Sequence, residues 1–324
     1  MKELLLNKKS KILEFTESKI SSKDITTINK FKKLVIEEGD NGLRKISKIL
    51  KEKEIKSFKV SNSEFKKAEE TVDDQLKNAI LTAYSNIKKY HEKQLDGLSI
   101  NKVETTKGVS LWSEFKPIDS VGLYIPGGTA PLFSSLLMQA IPAIIAGCPN
   151  IVICTPPDTN GKINPTILWV ADLLNIKNVY KVGGSQAIFA MAYGTESIPK
   201  CYKIFGPGNK YVTEAKLQVS KDISIDMPAG PSEVYVVSDD IEKADIIASD
   251  LLSQLEHSID AKAVLISKNK KLLKDIKAII SYQKESLSRQ SILNESINNT
   301  YCLLYTSDAA DDTPCVDLGG RRII

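Results

Sequence analysis

The chain has 324 residues, room for two domains, with 42% hydrophobic and 26% charged residues and a formal charge of +4, an ordinary globular balance. Its lysines are interleaved with glutamates along amphipathic segments, which is a solvated surface rather than a nucleic-acid face. No apolar run is long enough to cross a membrane and the first 22 residues are too charged for a signal peptide, so a cytoplasmic protein with no membrane partner is expected.

In chain order, residues 1–22 read as a short helical leader and 23–94 carry long helical patterns. Over 63–94, Ala68, Val72, Leu76, Ala79, Ile80, Ala83 and Ile87 supply one apolar face. His91 ends that segment and reads as a surface or capping side chain. From Val121 the pattern becomes strand, loop, helix: VGLYIP, NIVICTP, NVYKVGG and YKIFGPG are separated by helix-length stretches, including an apolar helix over 132–146. That alternation predicts an α/β fold, a parallel sheet with helices on both faces. A second alternation, EVYVVSD, a helix over 244–257 and AKAVLIS, follows the rigid segment DMPAGPSE. The boundaries expected are 23–123 plus 230–301 for a first, discontinuous domain and 124–229 for a domain inserted in it.

Three glycine-bearing loops follow short apolar runs: 124–130 (YIPGGTA), 182–187 (VGGSQA) and 205–209 (FGPGN). Glycines let a backbone approach a ligand, and helix starts favour anions. Each loop alone is equally compatible with a plain turn; in series they point to a nucleotide site at the strand ends of one sheet. The G-x-G-x-x-G fingerprint and its ribose-holding acid are absent.

Gln254 and His257 are three residues apart in a helical pattern and share a face. They are compatible with a metal pair or with a surface histidine beside an unrelated glutamine. Ser232 and Glu233 emerge from the Pro-Gly-Pro segment directly before a strand, which suits Ser232 for contact with a small polar ligand, although the segment would also serve as a hinge. Cys148, Cys154 and Cys201 have no C-x-x-C spacing and read as reduced, packed thiols. A nucleophilic cysteine of the aldehyde-dehydrogenase kind finds no clear place among them.

The segments YIPGGTAPL, VGGSQAIFA, KIFGPGN, VTEAKLQVS, IDMPAGPSE and DLLSQLEH closely resemble histidinol dehydrogenase, collinearly from about Val35 to near Asn299. The resemblance implies two Rossmann-like domains of the aldehyde-dehydrogenase kind and a homodimer. It also implies a zinc-assisted oxidation of L-histidinol to L-histidine through the aldehyde, with two hydrides passed to two NAD molecules. By that likeness Tyr124, Gln186 and Asn209 contact NAD. Ser232 binds substrate, and Gln254 and His257 are zinc ligands as well as substrate neighbours. Zn2+ would fix the imidazole and amine of the substrate and orient its alcohol carbon.

The family pattern also includes a Glu-His base in a G-P-E-H-L segment beyond His257, and two further zinc ligands, an Asp and a second His. None of these has a counterpart in this sequence, whose only histidines are His91 and His257. The 324 residues as written are therefore expected to be inactive, with residual nucleotide binding as the alternative reading. Residues 302–324 abandon the Lys- and Ile-rich composition before them and read in one frame as two fixed strings of a sequencing-library adapter. They are expected to be foreign to the fold.

Overall fold

The protein is described by a computed structural model that defines residues 2–6, 20–98, 102–127, 132–228, 233–259 and 261–305. The chain opens with strand β1 (Lys2–Leu6), then helices α1 (Ser22–Ile49), α2 (Asn62–Thr71) and α3 (Asp74–Leu95) and a hairpin of β2 (Val103–Thr106) and β3 (Val109–Leu111). The alternating part is β4 (Ser120–Tyr124), α4 (Phe133–Ile145), β5 (Asn150–Thr155), α5 (Pro165–Leu173), β6 (Val179–Lys181), α6 (Gly184–Tyr193), β7 (Lys203–Phe205), α7 (Lys210–Val219) and β8 (Ser224–Ile225). It continues as β9 (Glu233–Val237), α8 (Ala244–Leu255), β10 (Lys262–Ser267), α9 (Lys270–Lys284), α10 (Gln290–Ser296) and β11 (Thr300–Tyr305).

Two compact units result, one of residues 19–229 and one of 1–18 with 230–324. The larger unit is built on a parallel sheet of order β6-β5-β4-β7-β8. Alternate residues of β4 serve opposite cores: Val121 and Leu123 pack with α2, α3, α4 and α5, while Tyr124 packs with α1, α6 and α7. All five β4 positions are buried, as a strand covered on both faces requires.

This unit departs from the boundaries expected from sequence. Helices α1, α2 and α3 belong to the same unit as 124–229: Ile28, Phe31, Val35, Leu43 and Ile46 of α1 join the α6 and α7 core, and Phe65, Ala68 and Ile80 join that of α4 and α5. The single helix expected over 63–94 is two helices. Val72 is extended (φ −77°, ψ 125°), and the Asp73 side chain caps α3 by accepting from Leu76 N–H at 2.9 Å, so a new helix start wins over the continuing apolar period.

The smaller unit has a parallel sheet of order β1-β11-β10-β9 whose core joins α8, α9 and α10. The helical leader expected over 1–22 is not found as such: Lys2–Leu6 is a strand, paired in parallel with β11, where a short leucine run gains a full ladder partner. Residues 7–19 lie outside the described residues. Strand β11 takes Cys302 and Leu303 into the buried part of this sheet, so the segment expected to be foreign begins inside a strand.

Candidate nucleotide site and metal donors

The strand order of the larger sheet reverses between β4 and its neighbours: β5 and β6 lie to one side, β7 and β8 to the other. A crevice at the carboxyl ends of β4 and β7 is where open α/β sheets receive ligands. The three glycine loops singled out in the sequence follow β4, β6 and β7, so all three stand on this one edge.

At Gly127, Gly183 and Gly206 there is no room for a side chain. Gly206 has φ +121°, and a Cβ there would come 2.1 Å from the Tyr124 carbonyl oxygen, so the ends of β4 and β7 touch backbone to backbone. A Cβ on Gly127 or on Gly183 would each come 2.3 Å from the Pro156 ring, which therefore sets the spacing between the loops after β4 and β6. Pro156 carries no sequence signal of its own; its role exists only once three strands are adjacent.

Tyr124, expected to contact NAD, is buried, and its hydroxyl accepts from the Gly184 N–H at 3.1 Å. It props the start of α6, whose N-cap is a glycine with no side chain to offer. Burial pushes its hydroxyl up to about 12, with the Gly184 hydrogen bond acting the other way. Gln186 lies in the first turn of α6 and is buried beside Gly184. Asn209 is exposed and caps α7, its Oδ1 accepting from Tyr211 N–H at 3.1 Å and Val212 N–H at 3.2 Å. Tyr124, Gln186 and Asn209 thus belong to one sheet edge.

Two buried polar groups near this edge were not singled out by sequence. Among the described residues the Gln139 carboxamide on α4 has no hydrogen-bond partner, and its Oε1 lies 3.1 Å from the point a Gly206 Cβ would occupy. The Thr155 hydroxyl at the end of β5 is likewise buried and unpaired. Cys154 and Cys201 are packed thiols: burial drives the Cys154 thiol well above its ordinary value and Cys201 up to about 11, so neither is a thiolate at neutral pH.

In the smaller unit, Gln254 occupies the last turn of α8, and the helix ends at Leu255, two residues before the 257 expected. His257 is exposed and past the cap, its N–H donating to the Gln254 carbonyl at 3.1 Å. Gln254 Nε2 is buried and has no hydrogen-bond partner among the described residues. Among the described residues no group of three or more His, Cys, Asp and Glu is gathered for a metal. Ser232 lies outside the described residues. His91 behaves as a helix-surface residue, its Nδ1 at 2.7 Å from Gln94 Oε1.

Comparison with known proteins identifies the family. The histidinol dehydrogenase family profile matches residues 16–318, a span that runs past Tyr301 into the segment expected from its sequence to be foreign. A histidinol dehydrogenase of Bacteroides fragilis (strain YCH46) is 49% identical over 268 residues, covering 82% of this chain and 62% of that protein. One of Campylobacter jejuni (strain RM1221) is 43% identical over 304 residues, covering 92% of this chain and 70% of that protein. The crystal structure of histidinol dehydrogenase from Elizabethkingia anophelis superposes with a TM-score of 0.83 at 42% identity, covering 89% of this chain and 66% of that one. The chain thus spans between 62% and 70% of the length of these relatives.

Proposed function

Starting from the chain's membership of the histidinol dehydrogenase family, we propose that it serves the NAD-linked oxidation of L-histidinol to L-histidine, with the 19–229 unit as its nucleotide-binding part. The observation that carries this reading is the convergence of three glycine loops on the carboxyl edge of one sheet, two of them flanking its switch point. The α6 and α7 N-termini at that edge offer N–H groups and dipoles to a diphosphate.

In this reading Gln186 and Asn209 orient the dinucleotide, and Tyr124 acts from beneath by holding Gly184. Ser232 supplies a polar contact to the substrate. Gln254 Oε1 and the His257 imidazole are chemically suited to a zinc ion, and the unpaired Gln254 amide fits a side chain kept for a ligand. When bound, zinc would polarise and orient the substrate's alcohol oxygen. These two donors are half of a tetrahedral set, and the Glu-His proton acceptor of the family pattern has no match among the 324 residues. Homodimerisation and a cytoplasmic location belong to the same proposal.

Calorimetric titration of the chain with NAD+ tests the nucleotide site. Binding that weakens about tenfold on Asn209→Ala or Gln186→Ala, the scale of one lost hydrogen bond to a charged ligand, is expected. Binding indifferent to both variants, or no binding, overturns the assignment. The second reading, a nucleotide-binding piece without turnover, is favoured by the donor count around Gln254. It predicts NAD+ binding with no NADH formed from L-histidinol and zinc, and measurable turnover would refute it.

A further inference from the structure

Beneath the loop between β7 and α7, one ion pair, with its lysine buried and its aspartate half-buried, holds both polar groups of a single residue. The Gly206 N–H donates to Asp226 Oδ2 at 2.8 Å, Lys216 Nζ donates to the Gly206 carbonyl at 2.9 Å, and Lys216 and Asp226 are paired with each other. Lys216 lies on the inward stripe of α7 with Val212, Ala215 and Val219, and its side chain is only 4% exposed. A charge there costs desolvation that an apolar residue would not.

The arrangement answers a local need. Gly206 sits at φ +121° against the Tyr124 carbonyl, and no regular ladder is available to its two peptide groups in that conformation. A carboxylate and an ammonium of fixed polarity admit one orientation of those groups. Asp226 is itself anchored, its N–H donating to the Ile204 carbonyl at 3.1 Å in continuation of the β7–β8 pairing.

We propose that Lys216 and Asp226 are positioning residues for the nucleotide: they act through Gly206 to fix the loop from 205 to 209, and with it the start of α7, at the switch point. This rests on the nucleotide reading above. It goes beyond a purely structural ion pair, because replacing both partners by apolar side chains removes the desolvation cost of the buried Lys216 charge and leaves no unpaired charge behind, yet leaves Gly206 unanchored on both sides.

The test compares the wild-type chain with Lys216→Met and with Lys216→Met/Asp226→Leu, following the melting temperature, NAD+ affinity and amide hydrogen exchange at Gly206. Lys216→Met is expected to lower the melting temperature and weaken binding. The double variant is expected to regain most of the melting temperature while binding NAD+ about tenfold more weakly, the worth of a charge-assisted hydrogen bond. Its Gly206 amide should also exchange at least about tenfold faster. Wild-type affinity and wild-type exchange in the double variant overturn the proposal. If the wild-type chain binds no NAD+, the nucleotide reading fails, and unchanged Gly206 exchange in the double variant would remove the positioning role as well. Should the double variant not fold, Asp226→Asn keeps the shape and removes the charge; faster Gly206 exchange then supports the role and unaltered exchange refutes it.

Discussion

Strands β4 and β9 are alike in sequence and opposite in setting. SVGLY in the larger unit is buried at every position, its residues shared between two cores, whereas EVYVV in the smaller unit alternates, with Tyr235 46% and Val237 75% exposed and only Val234 and Val236 packed against the core. Both are near-continuous apolar runs, the usual mark of a parallel strand covered on two faces. The difference teaches that such a run states a demand for cover and not who supplies it. The 19–229 unit meets the demand with its own helices; among the described residues, β9 meets it on one face.

The two units have separate cores and are expected to melt separately, so the largest effects come from breaking one core at a time. Phe189→Ala, within the α6 core, should destabilise the larger unit by about 3–5 kcal/mol, and Leu251→Ala the smaller by about 2–5 kcal/mol. Calorimetry would show one transition shifting and the other staying. A single transition moved by both variants would break the comparison, since the units would then unfold as one.

Glycine conformation gives a smaller, sharper contrast inside the larger unit. Gly206→Ala forces a Cβ onto the Tyr124 carbonyl at a φ of +121° and should cost about 2 kcal/mol or more. Gly108, at φ +84° with nothing within 4 Å, should cost only about 1 kcal/mol when changed to Ala. Urea unfolding of both variants measures the difference; equal losses would mean that the close approach of the β4 and β7 loops contributes nothing.

Much of this was legible in the sequence. Apolar runs ending in glycines gave the strands, and the three loops were placed on one edge because each follows a strand of the same parallel sheet. Tyr124 is singled out only by the family resemblance, as a contact for NAD; that its hydroxyl is committed to Gly184 depends on β4 and α6 being neighbours, which no local pattern states. Lys216 was readable in principle, as a charge at the i+4 position of the stripe Val212, Ala215, Lys216, Val219. Its partner ten residues on was not, because Asp226 reaches it only through the β7–β8 register. The break at Asp73 was hidden because the apolar period runs on through Val72, and a cap outweighed it. The division between the units was missed for a related reason: helical periodicity shows which face of α1 is buried, and not which sheet it is buried against.

The Tyr124 hydroxyl offers a titration as well as a deletion. Tyr124→Phe leaves the Gly184 N–H without its acceptor and should cost about 1 kcal/mol. The folded-state value near 12 lies above the ordinary 10, so the folded protein holds this proton where the unfolded chain releases it. Its contribution is therefore complete below pH 10 and is lost as pH rises toward 12. Tyr180, also pushed by burial to about 12, adds to the same loss. Absorbance titration should show exposed tyrosines ionising first and these two only as the larger unit opens; ionisation of Tyr124 with the exposed set would show that its burial is not maintained in solution.

The smallest effect returns to β9. Val237→Ser changes a side chain that is 75% exposed and outside the core, so stability should move by no more than about 0.5 kcal/mol, the range for surface substitutions. Leu123→Ser on β4 places a hydroxyl in the core that also holds Val121, Ile153 and Leu137 and should cost several-fold more, about 3 kcal/mol or above. The informative measurement on Val237→Ser is solubility beside stability. An apolar face that lacks cover drives association, so the variant should stay monodisperse at higher concentration than the parent while melting at the same temperature. A melting loss comparable to that of Leu123→Ser would mean that Val237 is covered in solution, and the contrast between the two strands would disappear.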